Sequence, residues 1–514
     1  MAHQFLAIII EHPLRYIAIW VSFLVIVPFI AIVGTKKSSS ICLYDLKQNF
    51  SYSPNIVALF FFLMGVFVSL IPAWSALTFY DADHLYPLID SSARWLPPPI
   101  WPELGRFFPL ADQEFRYINL LFPTIYAFHA LSVIQILVIA LLLRSISGGR
   151  YWLISAAMAM SSVSFVEPFF GLIYPERNLV FFLVVTIFCI QRWESTGGLT
   201  YVFFGLLCAN LLIFYKEIGF IFPGAIGSLG VMRFLRGKSS IRTPIIYLSL
   251  FFTSFLWLLF YVIEILPEIV SVYRPIRSAT IQDAFGFASM QTWFYLIVVM
   301  FIARLMFVVK KGTLLDPIMD GCILGALLYV SALIILKYDS PYYYSPAAIV
   351  AFGLFARVFP SFMNSKIFRS LMPCAIFLLN APASIEHIVR WKELIAAKSD
   401  AAAFIGMNPA NKNISIHYPG ESSYVAGLFS GYISSKYKSR LIAVVHDTSS
   451  TGASSCTSSI NMPVCHYNTP YRPGDLVVSF GKPAAHEGLS LLYISSSIGW
   501  WRNSYFVYVY KVIG

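Results

Sequence analysis

The sequence predicts an α-helical polytopic membrane protein of about twelve spans, followed by a small mixed α/β domain. Three observations support this. Of 514 residues, 58% are hydrophobic and 12% are charged, whereas a soluble globular chain carries about 25% charged residues. Apolar runs close to the ~20 residues that cross a bilayer recur along the first three quarters of the chain. After residue 385, segments rich in Ser, Gly and Pro replace them.

The membrane domain is expected to cover residues 1–385. No cleavable signal peptide is expected, because the first apolar stretch is long and lacks a cleavage site with small residues. In chain order, the apolar runs place the spans near residues 16–34, 56–74, 118–143, 151–168, 179–192, 199–214, 218–232, 244–265, 292–309, 318–336, 343–359 and 367–385.

The remaining residues, 386–514, are expected to form a small mixed α/β domain. A strand at 413–418, a helix at 421–437 and a strand at 441–446 give a β-α-β pattern. Further strands are expected at 475–480, 489–495 and 505–512, and a helix at 385–398 should cap the domain on the membrane. Cys456 and Cys465 are the only cysteines of this region. A disulfide between them suits an oxidising compartment, and two free thiols are the alternative.

The basic residues determine the orientation. Lys and Arg concentrate in one alternate set of loops, which the positive-inside rule assigns to the cytoplasm. The segment 73–116 and the C-terminal domain then lie on the extracytoplasmic side, as does the N-terminus. The net charge of +11 arises at these loop ends, beside anionic lipid headgroups. Nucleic acid is therefore not an expected partner.

The segment 73–116 is the strongest candidate for a catalytic site. Six of the chain's 25 acidic residues fall in it. Its aromatic residues and prolines predict short juxtamembrane helices along the membrane surface. Asp81, Asp83 and His84 directly follow the second span. Two carboxylates at this spacing can chelate a divalent cation or divide the roles of base and orienting group, and an acidic helix-capping turn is the alternative.

Two further outer connections carry paired charges. Glu176 and Arg177 lie between the fourth and fifth spans, where they can orient a sugar hydroxyl and a phosphate. An ordinary interfacial turn is the alternative. Lys216 and Glu217 lie between two apolar runs, and ionisable groups at this depth are by default functional. Lys216 is interpreted as a lipid-phosphate ligand, with a simple ion pair to Glu217 as the alternative.

The later outer loops add basic and aromatic residues. Arg274 and Arg277 can clamp a phosphate. The tyrosines near residue 343 can stack on a sugar, although the aromatic belt of membrane proteins explains most of them. The sequence contains no nucleotide-binding loop, dinucleotide fingerprint or zinc-ligand spacing. Any reaction must therefore use a substrate that is already activated.

The order of these features resembles the GT-C superfamily of membrane glycosyltransferases, which use polyprenyl-phosphate-linked sugars as donors. The resemblance covers residues 56–230. It is based on Asp81, Asp83, the segment 95–116, Glu176, and Lys216 within FYKEIGFIFPG. In plan, the chain is similar to bacterial enzymes that decorate lipopolysaccharide, O-antigen or other surface glycans. It departs in an extra span before the first acidic loop and in an Asp-Ala-Asp-His motif in place of an Asp-Glu pair.

The resemblance implies a mechanism. A first-loop aspartate, Asp81 or Asp83, deprotonates an acceptor hydroxyl, which displaces polyprenyl phosphate with inversion, while Glu176 orients the sugar or acceptor. Whether Asp83 holds Mg²⁺ or Mn²⁺ stays open. The expected donor-phosphate ligands are Lys216, Arg177, Arg274 and Arg277. The expected acceptor or sugar contacts are His84, Arg94, Glu103 and Tyr343.

The resemblance also implies a location and partners. The chain is expected in the bacterial inner membrane, with its active site and C-terminal domain facing the periplasm. Its partners would be a lipid-linked sugar donor, a glycan or glycolipid acceptor, a donor-synthesising transferase and a flippase. A glycan polymerase or ligase is the alternative enzyme, and it would depend on arginines of large outer loops. A transporter or flippase would instead require charges within the spans and related halves.

Overall fold

A computed structural model describes most of the membrane domain and the core of the C-terminal domain. The described residues are 11–34, 59, 63, 100–102, 105–148, 151–235, 242–269, 280–311, 316–359, 366–407, 415–419, 423–437, 442–446, 455–459, 462–466, 471–480, 488–496 and 506–513. The second predicted span, at 56–74, lies almost wholly outside these residues.

The membrane domain is helical. Its helices are α1 (Pro13–Val21), α2 (Val27–Gly34), α3 (Gln113–Leu121), α4 (Ile125–Ile146), α5 (Trp152–Met160), α6 (Val163–Phe170), α7 (Glu176–Thr196), α8 (Leu199–Tyr215), α9 (Ile221–Leu235), α10 (Arg242–Phe260), α11 (Ile281–Ser289), α12 (Thr292–Lys311), α13 (Pro317–Ile335), α14 (Ser345–Val358) and α15 (Lys366–Met407). A two-stranded hairpin, β1 (Ile100–Trp101) and β2 (Arg106–Phe107), precedes α3.

Within the described residues, eight helical segments are long and apolar enough to cross a bilayer, or nine if α5 and α6 form one bent span. The chain is therefore an integral membrane protein. The sequence predicts about twelve spans, and three of them are irregular or short. α5 and α6 meet at a 69° bend. α8 has 17 residues and α14 has 14.

The bend between α5 and α6 has a local cause. The hydroxyl of Ser161 donates to the carbonyl of Met158, and that of Ser162 donates to the carbonyl of Ala159. Serine hydroxyls that bond back to the preceding turn compete with the helix ladder and favour a break there. A hydropathy pattern does not register this competition, so the sequence predicts a single span at 151–168.

The helix α15 joins the two parts of the molecule. It runs for 42 residues through the internal prolines Pro373 and Pro382, so the expected boundary at residue 385 lies within a continuous helix. Beyond the apolar stretch, Ala397, Ala401 and Ile405 are buried in the core of the C-terminal domain. Their spacing of four residues places them on one face of the helix.

The C-terminal domain is a mixed seven-stranded sheet with helices on one face, as predicted in class. Its elements are β3 (Ser415–Pro419), α16 (Ser423–Tyr437), β4 (Ile442–His446), β5 (Ser455–Ser459), β6 (Met462–His466), β7 (Leu476–Phe480), β8 (Leu489–Ser496) and β9 (Phe506–Val512). The strand order is β5-β6-β4-β3-β7-β9-β8. β3 lies parallel to β4 and β7, whereas β8 is antiparallel to β9 at one edge. The sequence does not predict β5 and β6, because SCTSS lacks an apolar alternation and MPVCH contains a proline.

One buried cluster connects this domain to the membrane domain. Phe115 of α3, Phe128 of α4 and Leu172 belong to the same cluster as Ala401 and Ile416. The sheet domain thus packs beside the loop that precedes the third span. This contact places the sheet domain next to the end of the bundle where the sequence predicts catalytic and binding residues.

Candidate functional site

Four connections meet at one end of the helical bundle. They are the hairpin before α3, the turn before α7, the break between α8 and α9, and the loop before α14. We call the charged and tyrosine side chains that meet there the rim cluster, which consists of Arg106, Glu176, Lys216, Glu217, Tyr338 and Tyr343. All six are at least nine-tenths buried.

The first element of the rim cluster is an ion pair between two predicted residues. α8 ends at Tyr215 because Lys216 takes an extended conformation, with φ −155° and ψ 126°. α7 begins with Glu176, directly after Pro175. The Lys216 Nζ lies 2.9 Å from Glu176 Oε1, with side chains 6% and 0% exposed. The break in α8 therefore brings a lysine to the start of α7.

The second element is a neighbouring ion pair. Arg106 Nη1 donates to Glu217 Oε1 at 3.0 Å. The indole nitrogen of Trp257 donates to the main-chain carbonyl of Glu217 at 2.9 Å. The first outer loop is also fixed here through its backbone, because the Leu110 amide donates to the carbonyl of Phe214 at 3.2 Å. Glu217, the alternative partner of Lys216 in the sequence, pairs with Arg106 instead.

Aromatic rings surround the two cations. Lys216 Nζ lies 4.9 Å from the ring centroid of Tyr343 and 5.2 Å from that of Phe108. The Arg106 guanidinium carbon lies 5.7 Å from the ring centroid of Tyr338. These distances are in the range of cation–π attraction. Burial raises the pKa of Tyr338 to about 12, against the opposing charge of Arg106, so its phenol stays neutral at pH 7.

The carboxylates of the rim cluster retain unused acceptor capacity. Neither oxygen of Glu176 has a hydrogen-bond partner among the described residues, so its contact with Lys216 is an ion pair without hydrogen-bonding geometry. Glu217 Oε2 also lacks a hydrogen-bond partner among them. A carboxylate can accept about four hydrogen bonds. These groups can therefore accept hydrogen bonds from hydroxyl groups of a ligand.

Arg177 has different surroundings from Glu176, its neighbour in sequence. Its Nη2 donates to Glu114 Oε1 at 2.7 Å, and its Nη1 donates to the Ser132 hydroxyl at 3.1 Å. The guanidinium carbon lies 4.9 Å from the ring centroid of Phe115. Arg177 is fully buried. These contacts favour a role in holding α3 against α4 and α7 over the phosphate contact expected from the sequence.

Solved structures provide the comparison with known proteins. A crystal structure of ArnT from Cupriavidus metallidurans in the apo state has a TM-score of 0.51 and 11% identity, over 88% of this chain and 97% of that one. A second, of ArnT bound to undecaprenyl phosphate, has a TM-score of 0.52 with the same identity and coverage. This chain has the GT-C fold. No family model matches the sequence, and no curated protein does.

The GT-C fold confirms the predicted fold class, and the rim cluster brings together three of the predicted site residues. They are Glu176, Lys216 and Tyr343. Seven others lie outside the described residues, namely Asp81, Asp83, His84, Arg94, Glu103, Arg274 and Arg277. Their roles stay predictions. Among the residues that the structure describes, no three His, Cys, Asp or Glu side chains are arranged to hold a metal ion.

The predicted disulfide is compatible with the backbone. β5 and β6 pair antiparallel, and their register places Cys456 directly opposite Cys465. Directly opposed residues of antiparallel strands have Cα atoms about 4.5–5.5 Å apart, which is within the range that a disulfide requires. The bond itself stays a prediction.

Two residues of the rim cluster, Arg106 and Tyr338, were not predicted as site residues from the sequence. Arg106 lies in the acidic segment that the sequence singles out, so its location in the fold is as expected. The missing information is pairing, because Arg106 meets Glu217 across 111 residues of sequence. No local pattern in the sequence indicated this pairing, because the same segment also contains Arg94 and Arg116.

Proposed function

We propose that this chain transfers a sugar from a polyprenyl-phosphate carrier to a hydroxyl group of a cell-surface glycan or glycolipid. The observation that carries this proposal is the rim cluster, in which two cations and two carboxylates lie together at the end of a membrane bundle. A lipid-linked phosphate reaches such a site from the bilayer. The similarity in fold to ArnT, in a structure bound to undecaprenyl phosphate, supports the choice of carrier.

Lys216 and Arg106 would bind the donor phosphate. A lysine ammonium has three donors, and a guanidinium has five in a planar fork. Both groups lie within 3.0 Å of a carboxylate, and both can donate to the oxygens of a phosphate that enters the site. Negative charge grows on the phosphate as the glycosidic bond breaks. Fixed cations in a site shielded from water stabilise that charge most effectively.

The transfer step would follow the inverting course predicted from the sequence. An oxygen of the acceptor forms a bond to the anomeric carbon, and its proton passes to the first-loop aspartate, Asp81 or Asp83. The bond between the anomeric carbon and the phosphate oxygen breaks, and polyprenyl phosphate leaves with the electron pair. Glu176 and the free oxygen of Glu217 would accept hydrogen bonds from sugar hydroxyls and fix the ring.

The tyrosines would close the site. Tyr342 stacks on Tyr174 with ring centroids 4.3 Å apart, and the neighbouring Tyr343 covers Lys216. The Tyr342 amide donates to Glu167 Oε2 at 3.1 Å, which fixes the backbone of this loop. Such an aromatic wall excludes water, which strengthens the attraction between the cations and the phosphate. It also offers ring faces to a sugar.

The finer parts of the proposal follow the sequence. The acceptor would be lipopolysaccharide, O-antigen or a similar surface glycan, with the site facing the periplasm of a bacterial inner membrane. A donor-synthesising transferase and a flippase would supply the lipid-linked sugar. If Asp83 holds Mg²⁺ or Mn²⁺, a chelator should abolish transfer, and either ion should restore it. Full activity after chelation would exclude this metal role.

Two experiments test the proposed function. Mass analysis of surface glycans from cells with and without the gene should reveal one missing sugar. The identity of that sugar and the glycan that lacks it then identify the donor and the acceptor. The purified protein in lipid nanodiscs should then transfer that sugar from its polyprenyl-phosphate donor and release polyprenyl phosphate. Identical glycans in both strains, together with no transfer by the purified protein, would refute the proposal.

A further inference from the structure

Four tyrosine rings form a continuous row over the two cations of the rim cluster. Successive ring centroids are 4.3, 4.1 and 4.3 Å apart in the order Tyr174, Tyr342, Tyr343 and Tyr338. We call these four side chains the tyrosine row. Tyr343 lies against Lys216, and Tyr338 lies against Arg106. The position of the row therefore sets the space in which a ligand of these cations can lie.

One end of the row is held by α13 and by the chain that follows it. Lys337, just after α13, takes the left-handed conformation with φ 62°. The Tyr338 amide then donates back to the carbonyl of Leu333 at 3.0 Å, which is a common way to end a helix. The hydroxyl of Tyr329, within α13, donates to the carbonyl of Tyr343 at 3.1 Å. These bonds act on Tyr338 and Tyr343.

The other end of the row contacts α6, the second half of the bent span. α6 packs against the turn Pro341–Tyr344. Glu167 is 4% exposed, and its Oε2 accepts a hydrogen bond from the Tyr342 amide at 3.1 Å. The first amides of a helical turn have no acceptor within the turn, and this carboxylate provides one. Glu167 thus fixes Tyr342 to α6.

Gly171, directly after α6, gives the last ring of the row its place. A methyl group at this position would overlap the ring of Tyr174. The backbone of Gly171, with φ −91° and ψ 114°, is in a region open to any residue, so its conformation does not require glycine. The missing side chain instead leaves the space in which the Tyr174 ring stacks on Tyr342. α6 therefore supports the row at two points.

Glu167 is a buried carboxylate within a span, and such a group is costly and by default functional. A base or a sugar ligand needs an oxygen that faces the site, whereas Oε2 is bonded to a main-chain amide and Oε1 lies 3.5 Å from His387 Nε2 of α15. A tie between α15 and the bent span already exists, because the Ser384 hydroxyl donates to the carbonyl of Ser161 at 2.6 Å. The hydrogen bond to the tyrosine row is therefore the distinctive contact of Glu167.

We propose that α6 is a positioning element for donor binding, which holds the tyrosine row over Lys216 and Arg106 through Glu167 and Gly171. A row that is fixed beforehand loses less conformational entropy when a ligand binds beneath it. The 69° bend between α5 and α6 then has a function, because it turns α6 out of the line of α5 and against this loop. The inference rests on the proposed function for the identity of the ligand, whereas the support of the row can be measured without a donor.

The support of the row is tested by amide hydrogen exchange on the full-length protein in nanodiscs. Glu167→Ala removes the acceptor, and exchange in the loop 338–344 should become at least about tenfold faster, the factor that corresponds to ~1.4 kcal/mol. Glu167→Gln keeps the size and an acceptor oxygen, and exchange should rise only about threefold, because a neutral hydrogen bond is about half as strong. Exchange within α13 should not change, which separates release of the loop from general unfolding.

The consequence for binding is tested by titration with undecaprenyl phosphate. In wild-type protein, this lipid should slow exchange in the loop 338–344, and the concentration that gives half of the effect reports its affinity. Glu167→Ala and Gly171→Ala should each require about tenfold more lipid. Neither substitution touches the cations, so a contact that serves only stability would leave this concentration unchanged.

Two variants serve as matched controls. Ser384→Ala loosens α15 from the bent span without contact to the row, and Gly286→Ala adds a methyl group where nothing lies within 4 Å. Both should match wild-type protein in exchange and in affinity. Wild-type exchange in Glu167→Ala, or wild-type affinity in both Glu167→Ala and Gly171→Ala, would overturn the inference. No effect of the lipid on wild-type protein, with faster exchange in Glu167→Ala, would refute the proposed function and support the positioning by α6.

Discussion

The two ends of the helical bundle both carry ion pairs, but they differ in how completely their carboxylates are hydrogen-bonded. At the end opposite the rim, Asp316 caps α13 by accepting from the amides of Ile318 and Met319, and it also accepts from Arg357. Asp320 accepts two hydrogen bonds from Arg304 and one from the Asp316 amide. We call these four charged side chains the opposite-end cluster.

The carboxylates of the rim cluster are less completely hydrogen-bonded. Among the described residues, Glu176 has an ion pair and no hydrogen bond, and Glu217 has one free oxygen. A buried polar group without a partner costs about 1–3 kcal/mol. Both oxygens of Asp316 and of Asp320, by contrast, accept at least one hydrogen bond. The difference is consistent with the proposal that the rim cluster binds a ligand, with the opposite-end cluster as a purely structural counterpart.

The largest expected effect comes from removing the lysine of the rim cluster. Lys216→Ala alone would leave Glu176 as a buried, uncompensated charge, which typically destabilises a protein by about 3–5 kcal/mol. The double variant Lys216→Ala/Glu176→Gln removes both charges. We expect it to unfold near the wild-type temperature and to lose transfer activity by about 10²–10³-fold, as for loss of one oxyanion ligand.

This double variant is checked by thermal unfolding and by sugar release from the polyprenyl-phosphate donor. A folded double variant with at least half of the wild-type rate would mean that the rim cluster is structural, like the opposite-end cluster.

A smaller effect is expected for the arginine of the rim cluster. Arg106→Gln keeps a hydrogen-bond donor but loses the charge, and a hydrogen bond to a charged group is worth about 1.5–3 kcal/mol. We expect kcat/KM for the donor to fall by about 10–100-fold. Arg304→Gln is the matched control, because Arg304 is also paired with a buried carboxylate. Equal losses per folded molecule in the two variants would remove the distinction between the clusters.

Tyr343 tests the aromatic cover of Lys216. Tyr343→Ala removes the ring that lies 4.9 Å from the ammonium, and a cation–π contact is worth about 0.5–2 kcal/mol. We expect a loss of transfer rate of about 2–30-fold. Tyr343→Phe keeps the ring and should retain most of the activity. If the Phe variant loses as much as the Ala variant, the phenol hydroxyl is the important group.

The smallest effect on activity is expected at the opposite end. Asp316→Ala removes the N-terminal cap of α13, and such a loss costs about 0.5–2 kcal/mol of stability. The melting temperature should fall, while the transfer rate per folded molecule should not change. A reduced rate in protein that is still folded would show that the two ends are functionally coupled.

The fold follows from the sequence more directly than the contacts of the site do. Hydropathy identified the apolar helices, and alternation identified β3, β4, β7, β8 and β9 within a few residues. The bend at Ser161 and Ser162 was missed because it depends on hydroxyl-to-carbonyl bonds within the helix. The strand β5 was missed because its sequence, SCTSS, is polar and is stabilised by the neighbouring strand. The strand β6 was missed because MPVCH is short and contains a proline, which argues against a strand.

For the site, residue type and predicted sidedness were enough to select Glu176, Lys216 and Tyr343. The pairing of Glu217 with Arg106 was not accessible, because two adjacent residues at a helix break can face different partners. Arg177 shows the same limit, since its sequence position beside Glu176 suggested a shared role. In the structure, its guanidinium instead donates hydrogen bonds to Glu114 and Ser132. Backbone direction at a helix end depends on tertiary packing, which a local motif does not encode.

The central claim is that the rim cluster binds the phosphate of a polyprenyl-phosphate carrier. It is tested most directly by a cryo-electron microscopy structure of the protein in nanodiscs that contain undecaprenyl phosphate. We predict phosphate density within hydrogen-bonding distance of the Lys216 ammonium and the Arg106 guanidinium. Phosphate density at another location, with the Lys216–Glu176 and Arg106–Glu217 pairs unchanged and inaccessible, would contradict the account.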